Sequence, residues 1–121
     1  KKKAGIFYFF HTFASLKIPQ KWDQKWRIVL FDIPEKDRDF RDILRNHLKT
    51  IGFYQLQQSA FVFPHPCEKQ LLKLIALYKA TPYIRIITAA TIDNSQMLLK
   101  HFFQNTPIKK YKKKVTLING R

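Results

Sequence analysis

The sequence has little cysteine, little glycine and no long apolar run, and each shortage excludes a class of protein. Cys67 is the only cysteine among 121 residues, so the chain has no internal disulfide and no cysteine-based zinc site. This usage fits a reducing compartment, and we expect a cytoplasmic protein. Three glycines are too few for a glycine-rich phosphate-binding loop. No apolar run approaches the ~20 residues that span a bilayer, so we expect no membrane segment.

Acidic residues are also few, and the basic excess is concentrated at the two ends. All eight acids lie within residues 22–108, whereas eleven of the 23 Lys and Arg residues lie in residues 1–21 and 109–121. Basic flanks are typical of proteins that bind polyanions, although solvated tails share this composition. We therefore expect DNA or RNA as a partner. The candidate contacts in the C-terminal run are Lys109, Lys110, Lys112, Lys113 and Lys114.

Composition divides the chain into three regions. Residues 1–21 are a basic, aromatic segment with a linker, residues 22–108 are one folded domain, and residues 109–121 are a basic tail. We interpret the aromatic stretch at residues 7–13 as the end of a preceding element rather than a secretory signal, because His11 and Thr12 interrupt it. Lys1 stands where an initiating Met would, so we expect a piece of a longer product.

Periodicity in the first half of the domain predicts a strand, a helix and a hairpin. An apolar strand begins at Trp26 and ends on Asp32, and apolar residues at three- and four-residue steps then predict a helix. Gly52 can end this helix, because glycine readily adopts the left-handed conformation. Residues 53–57 and 59–63 are expected to pair as antiparallel strands.

The second half predicts two further helices and a strand. Pro66 fits the first turn of a helix whose buried stripe ends at Tyr78. Residues 83–90 are β-branched and apolar, which predicts a central strand. A third helix follows, with Met97, Leu98, His101 and Phe102 expected on its inner face. Residues 115–118 could add a short edge strand, either here or on a partner.

The order of these elements predicts the fold class. A β-α-β-β-α-β order with right-handed crossovers gives an α+β, ferredoxin-like antiparallel sheet, here with an appended C-terminal helix. Both core helices lie on one face of such a sheet. We expect a homodimer, because a second copy would bury the opposite face.

Asp32 is the strongest candidate for a catalytic or metal-binding residue. A carboxylate at the end of an apolar strand requires a partner or a function, although a turn-capping role before Pro34 explains it as well. One chain alone offers a poor metal site, whereas two Asp32 residues across a two-fold axis would suit Mg²⁺. The four histidines form no cluster in sequence, and Ser59 has no triad around it.

Arg38, Arg41 and Arg45 form a ladder along the outer face of the first helix. They could line a phosphate backbone, or they could be a solvated face paired with neighbouring acids; spacing alone leaves both open. Trp22 and Trp26 flank the entry to the first strand, and we interpret them as core anchors rather than base-stacking platforms.

These motifs resemble a known family. Phe-Asp-Ile-Pro at residues 31–34, Gly-Phe at 52–53 and Gln-Gln-Ser-Ala-Phe-Val at 57–62 are similar to the signature of the small CRISPR-associated adaptation protein, a ferredoxin-like dimer that partners the CRISPR integrase. Lys-Trp-Asp-Gln-Lys-Trp at residues 21–26 is more similar to the entry of a related module. That module is the central domain of the phenylacetate-catabolism repressor (PaaX) family, which follows a winged-helix domain.

The resemblance implies a homodimer built on the sheet, binding to DNA or RNA, and Asp32 in the place of the family's metal-binding acid. Some adaptation proteins are metal-dependent endonucleases and others are DNA-bridging scaffolds. Two hypotheses follow. The chain is an adaptation-type nucleic-acid-binding homodimer, with an Mg²⁺-dependent endonuclease site at paired Asp32 and the CRISPR integrase as a partner. Alternatively, it is a non-catalytic dimerisation and DNA-binding module of a PaaX-like transcriptional repressor.

Overall fold

The computed structural model describes residues 16–104, which form four strands and three helices. The strands are β1 (Trp26–Phe31), β2 (Tyr54–Gln57), β3 (Ala60–Phe63) and β4 (Ile84–Ala89). The helices are α1 (Arg38–Ile51), α2 (Glu68–Leu77) and α3 (Ser95–Leu99), and a π-helical turn, Lys100–Gln104, extends α3. The expectations for residues 7–13, for the basic run at 109–114 and for a strand at 115–118 lie outside the described residues.

The strands form one antiparallel sheet in the order β2-β3-β1-β4, which confirms the α+β, ferredoxin-like prediction. In the register, Val29 of β1 lies between Phe61 of β3 and Ile86 of β4. The prediction of a central strand at residues 83–90 is wrong, because β4 is at the edge of the sheet and pairs only with β1 among the described strands. Its β-branched residues reflect strand propensity, which edge and central strands share.

Helix α1 forms because its apolar positions recur along one stripe. Leu44, His47 and Leu48 of this stripe are buried, as the periodicity predicts. The helix ends at Gly52, whose φ of +122° excludes most side-chain-bearing residues. The Gly52 amide donates to the carbonyls of Leu48 and Lys49 and so satisfies the last turn.

Helices α1 and α2 cover one face of the sheet. Their buried side chains pack with alternate residues of the two central strands, Val29, Phe31, Phe61 and Phe63. Helix α2 contributes Leu71, Leu74 and Ile75, with Tyr78 half-buried beside them, as predicted. It begins later than predicted: Cys67 is the N-cap, and Pro66 precedes the helix rather than entering its first turn.

Helix α3 lies on the opposite face of the sheet. Its Leu98, Leu99 and the following Phe103 pack with Trp22, Trp26 and Val62 in a second buried cluster. The predicted inner face is wrong for Met97 and His101, which are exposed. The buried stripe is displaced by one residue, because Leu99 and Phe103 rather than Met97 and His101 pack against the cluster around Trp22 and Trp26.

The segment before β1 is held firmly against the domain. Trp22 and Trp26 are both buried, which confirms them as core anchors, and the Trp22 Nε1 donates to the Pro64 carbonyl at 2.7 Å. Arg27 is also buried, and its guanidinium donates to the same carbonyl at 3.1 Å. None of the helices within residues 16–104 has the length and apolar character needed to cross a membrane.

Candidate nucleic-acid interface

Asp32 lies immediately after the end of β1, where its side chain is exposed. Asp32 lies at the rim of the sheet because β1 ends one residue earlier, at the buried Phe31. The Asp32 amide donates to the Tyr83 carbonyl at 2.8 Å, which fixes the backbone beside β4. The carboxylate is therefore presented to solvent from a rigid position.

A single chain does not assemble a metal site around Asp32. Within residues 16–104, no group of three or more His, Cys, Asp or Glu residues is placed to hold an ion. Mg²⁺ is usually held in octahedral geometry by one or two carboxylates together with waters and substrate phosphates, so Asp32 alone supplies at most one protein ligand. A site at Asp32 would require ligands from outside the described part of this chain.

Arg38 and Arg41 share one acid, Glu35, in the short 3-10 turn before α1. The Glu35 carboxylate accepts from Arg38 Nη1 at 3.3 Å and from both terminal nitrogens of Arg41 at 3.4 Å. The 3-10 turn at Glu35–Asp37 places this acid at the helix N-terminus, where the helix dipole also favours a negative charge. The Arg41 side chain is only 22% exposed, whereas that of Arg38 is 67% exposed.

Arg45 is held by different partners. Its Nε donates to the Gln58 carbonyl at 2.9 Å and its Nη1 to Asp42 at 3.3 Å, while its Nη2 contacts the Ser59 hydroxyl at 3.4 Å. The guanidinium carbon also lies 5.8 Å from the centre of the Phe31 ring. Arg45 thus fastens α1 to the turn between β2 and β3.

The structure therefore brings the three arginines onto one face of α1 but gives them different surroundings. Of the neighbouring acids that could neutralise this face, Asp42 pairs with Arg45 and Glu35 pairs with the other two. Reasoning from the sequence missed Glu35 as the shared partner. Its spacing of three residues from Arg38 was the available signal, since such pairs meet on a helix.

The histidines and the cysteine are structural within the described residues. His47 is buried on α1, and this burial lowers its pKa. His65 is buried and contacts the Phe63 and Phe103 rings, while His101 packs edge-on against Tyr54. Burial raises the pKa of the Cys67 thiol to about 12, so this thiol is not a nucleophile at neutral pH.

The face of the sheet that carries α3 is only partly covered. Leu30 of β1 is 38% exposed and Ile87 of β4 is 41% exposed. Both lie on this face, because Leu30 is two residues from Ile28 on β1 and Ile28 pairs with Ile87 in the register. We call these two residues the apolar strip. Arg85, opposite Leu30 in the register, adds a positive charge beside it.

Comparison with protein families matches residues 19–98 to the PaaX protein central Cas2-like domain. The matched region begins before Trp22 and ends within α3, so it contains the whole sheet, both core helices and Asp32. Comparisons with curated proteins and with solved structures gave no match. Since the match spans well over half of the chain and agrees with the observed sheet topology, this chain belongs to the PaaX central Cas2-like domain family.

Proposed function

We propose that this chain is a non-catalytic dimerisation module of a nucleic-acid-binding, PaaX-like transcriptional regulator. The observation that carries the proposal is the family match, which extends over the complete sheet and its two core helices. The isolated position of Asp32 agrees with a non-catalytic role, because a single exposed carboxylate can have a structural role as readily as a catalytic one.

Dimerisation is supported by the apolar strip. Two large aliphatic side chains beside each other on a sheet face are favourable to bury, at roughly 25 cal/mol per Å² of apolar surface removed from water. A second copy related by a two-fold axis would place the same strip against itself. Helix α3 covers the other half of this face, so such an interface would be centred on β1 and β4.

Nucleic-acid binding is supported by the charge distribution. The domain body carries all eight acids, and the net charge of +15 therefore comes largely from its flanks. The basic run Lys109, Lys110, Lys112, Lys113 and Lys114 supplies contacts that do not depend on base sequence, and α1 adds Arg38 and Arg41.

The test is binding of the full chain to duplex DNA and to RNA over a range of salt concentrations. Each phosphate contact releases counterions, so the logarithm of the affinity should fall linearly with the logarithm of the salt concentration. Deletion of residues 109–121 should weaken binding to all sequences alike and flatten this slope. An unchanged slope would transfer the contacts to Arg38 and Arg41, and an absence of binding would refute the proposal.

An Mg²⁺-dependent endonuclease of the adaptation type, with the CRISPR integrase as partner, is the second candidate function. The exposed, rigidly placed Asp32 favours it, provided that a second copy supplies another carboxylate. Asp32→Asn preserves the shape of the side chain and removes its charge. Under this second candidate, metal-dependent cleavage by the wild-type chain should disappear in Asp32→Asn while DNA binding persists. Cleavage that survives the substitution would exclude a role for Asp32.

A further inference from the structure

The three arginines of α1 differ in whether they pair with Glu35. Arg38 and Arg41 have Glu35 as their acidic partner, and no other acid in residues 16–104 forms an ion pair with either. Arg45 is held instead by Asp42, by the Gln58 carbonyl and by the Ser59 hydroxyl. Only Arg38 and Arg41 would become available if a single carboxylate moved away.

The contacts of Glu35 are those of a carboxylate that can be displaced. Its distances of 3.3 Å and 3.4 Å exceed the roughly 2.7–2.9 Å of strong charge-assisted hydrogen bonds. The Glu35 side chain is 72% exposed, and an exposed ion pair contributes little to stability. By contrast, the Arg45 contact to Gln58 is 2.9 Å and joins two elements of the fold.

We propose that Glu35 occupies the position of a backbone phosphate and thereby limits the affinity of the α1 face for nucleic acid. This inference rests on the proposed nucleic-acid binding and adds to it a residue that regulates the same surface. A phosphate bridging Arg38 and Arg41 replaces the Glu35 carboxylate, which turns outward into solvent. Arg45 does not exchange its partners and acts as a positioning residue that keeps α1 against the β2–β3 turn.

The exchange favours polymers over single anions. A free phosphate must compete with Glu35 at one site, whereas a polynucleotide held elsewhere by basic side chains presents its phosphates at a high effective concentration. Glu35 would therefore suppress binding of small anions while a bound polynucleotide still engages Arg38 and Arg41.

The experiment compares Glu35→Gln with Asp39→Asn in the full chain. Asp39 is an exposed acid on the same helix as the arginines and forms none of the ion pairs found within residues 16–104. Both substitutions remove one negative charge, so they raise the net charge equally. Because an exposed ion pair is worth up to about 1 kcal/mol, Glu35→Gln should bind duplex DNA about two- to fivefold more tightly than Asp39→Asn at low salt. The affinity of the Glu35→Gln variant for DNA should also fall more steeply with salt concentration, since its two freed arginines release more counterions on binding.

The same comparison in an Arg38→Gln, Arg41→Gln background shows whether Glu35 acts through these arginines. The double substitution should weaken binding, and Glu35→Gln should then give no gain beyond Asp39→Asn. The inference is overturned if the two acid variants bind equally, if the extra gain persists without the arginines, or if the double substitution has no effect. If the wild-type chain binds and only these differences fail, the proposed function stands; if no variant binds nucleic acid, both proposals fall. Circular dichroism spectra confirm that the variants are folded.

Discussion

Arg27 is the centre of a buried polar network that joins several elements of the fold. Its guanidinium is almost fully buried and donates to Asp23, to Glu68 and to the carbonyls of Lys25 and Pro64. Thr88 completes the network by donating to Glu68 at 2.7 Å. The network joins the entry segment, β1, α2 and β4, and gives each nitrogen of the buried guanidinium an acceptor.

Replacement of Arg27 by Met should lower the free energy of unfolding by about 2 kcal/mol. Removal of one member of a buried ion pair often costs roughly 3–5 kcal/mol, but the acids here are partly exposed and can regain hydration. Urea unfolding measures the loss. Arg38→Met, the same substitution at an exposed arginine, should change the free energy by less than about 0.5 kcal/mol. Equal losses for the two variants would contradict a structural role for the buried network.

The effect of Arg27→Met should depend on pH. The hydrogen bond from Arg27 holds the pKa of Asp23 below its usual value. Desolvation opposes the same effect at Glu68, but hydrogen bonds from Thr88, the backbone and Arg27 prevail and lower its pKa. Lowered carboxyl pKa values stabilise the fold above the ordinary range near pH 4, and this contribution disappears as the pH falls through the folded-state values. The stability difference between wild type and variant should therefore narrow between about pH 5 and pH 2.

At the scale of elements, the end of α1 depends on one backbone conformation. A Cβ added at Gly52 would lie 3.6 Å from the Phe63 ring, an ordinary contact, so space is not the constraint. The φ of +122° is the constraint, because it strains any residue with a side chain.

Gly52→Ala should therefore lower the free energy of unfolding by about 1–2 kcal/mol. Thermal or urea unfolding measures this loss. Asn46→Ala, at an exposed position in the middle of the same helix, is the matched control and should be neutral or slightly stabilising. A loss at Gly52 no larger than at Asn46 would show that the chain relaxes to another way of ending the helix.

The elements differ in how far the sequence predicts them. Helix α1 was predictable because a long apolar stripe ends at a glycine, and β1 because its apolar run ends at a charge. The inner face of α3 was predictable only in part: Leu98 is buried as expected, but the burial of Leu99 and Phe103 instead of Met97 and His101 depends on packing against residues distant in sequence. The edge position of β4 follows from the ferredoxin-like order of the sheet and not from its own composition, because edge and central strands share β-branched residues.

The candidate interface was predictable only in part. The ladder of Arg38, Arg41 and Arg45 follows from helical spacing alone. Their different surroundings do not, because Gln58 and Ser59 reach Arg45 through the folding of the β2–β3 hairpin against α1. Glu35 could be placed near the ladder by counting residues, but its sharing between two arginines requires the three-dimensional structure.

At the scale of the molecule, the apolar strip makes a prediction about assembly. Leu30→Glu and Ile87→Glu should each yield a monomer at tens of micromolar protein, because a charge at the centre of an interface must lose its hydration. Sedimentation velocity distinguishes monomer from dimer. Leu72→Glu changes an exposed leucine on α2, on the opposite side of the sheet, and should leave the dimer intact. A wild-type chain that is itself monomeric would refute the proposed dimer.

The second buried cluster has a spectroscopic consequence. Both tryptophans of the chain belong to it, with ring centres 4.8 Å apart, and Trp22 also lies 5.2 Å from Phe103. Intrinsic tryptophan fluorescence therefore reports only on the side of the sheet that carries α3, while the larger cluster under α1 and α2 contributes no indole. Detachment of α3 alone would expose the indoles to water and move their emission to longer wavelengths, although the helical signal of α1 and α2 would persist. Tryptophan fluorescence thus follows the side of the sheet that carries α3, whereas most of the helical ellipticity comes from α1 and α2 on the other side.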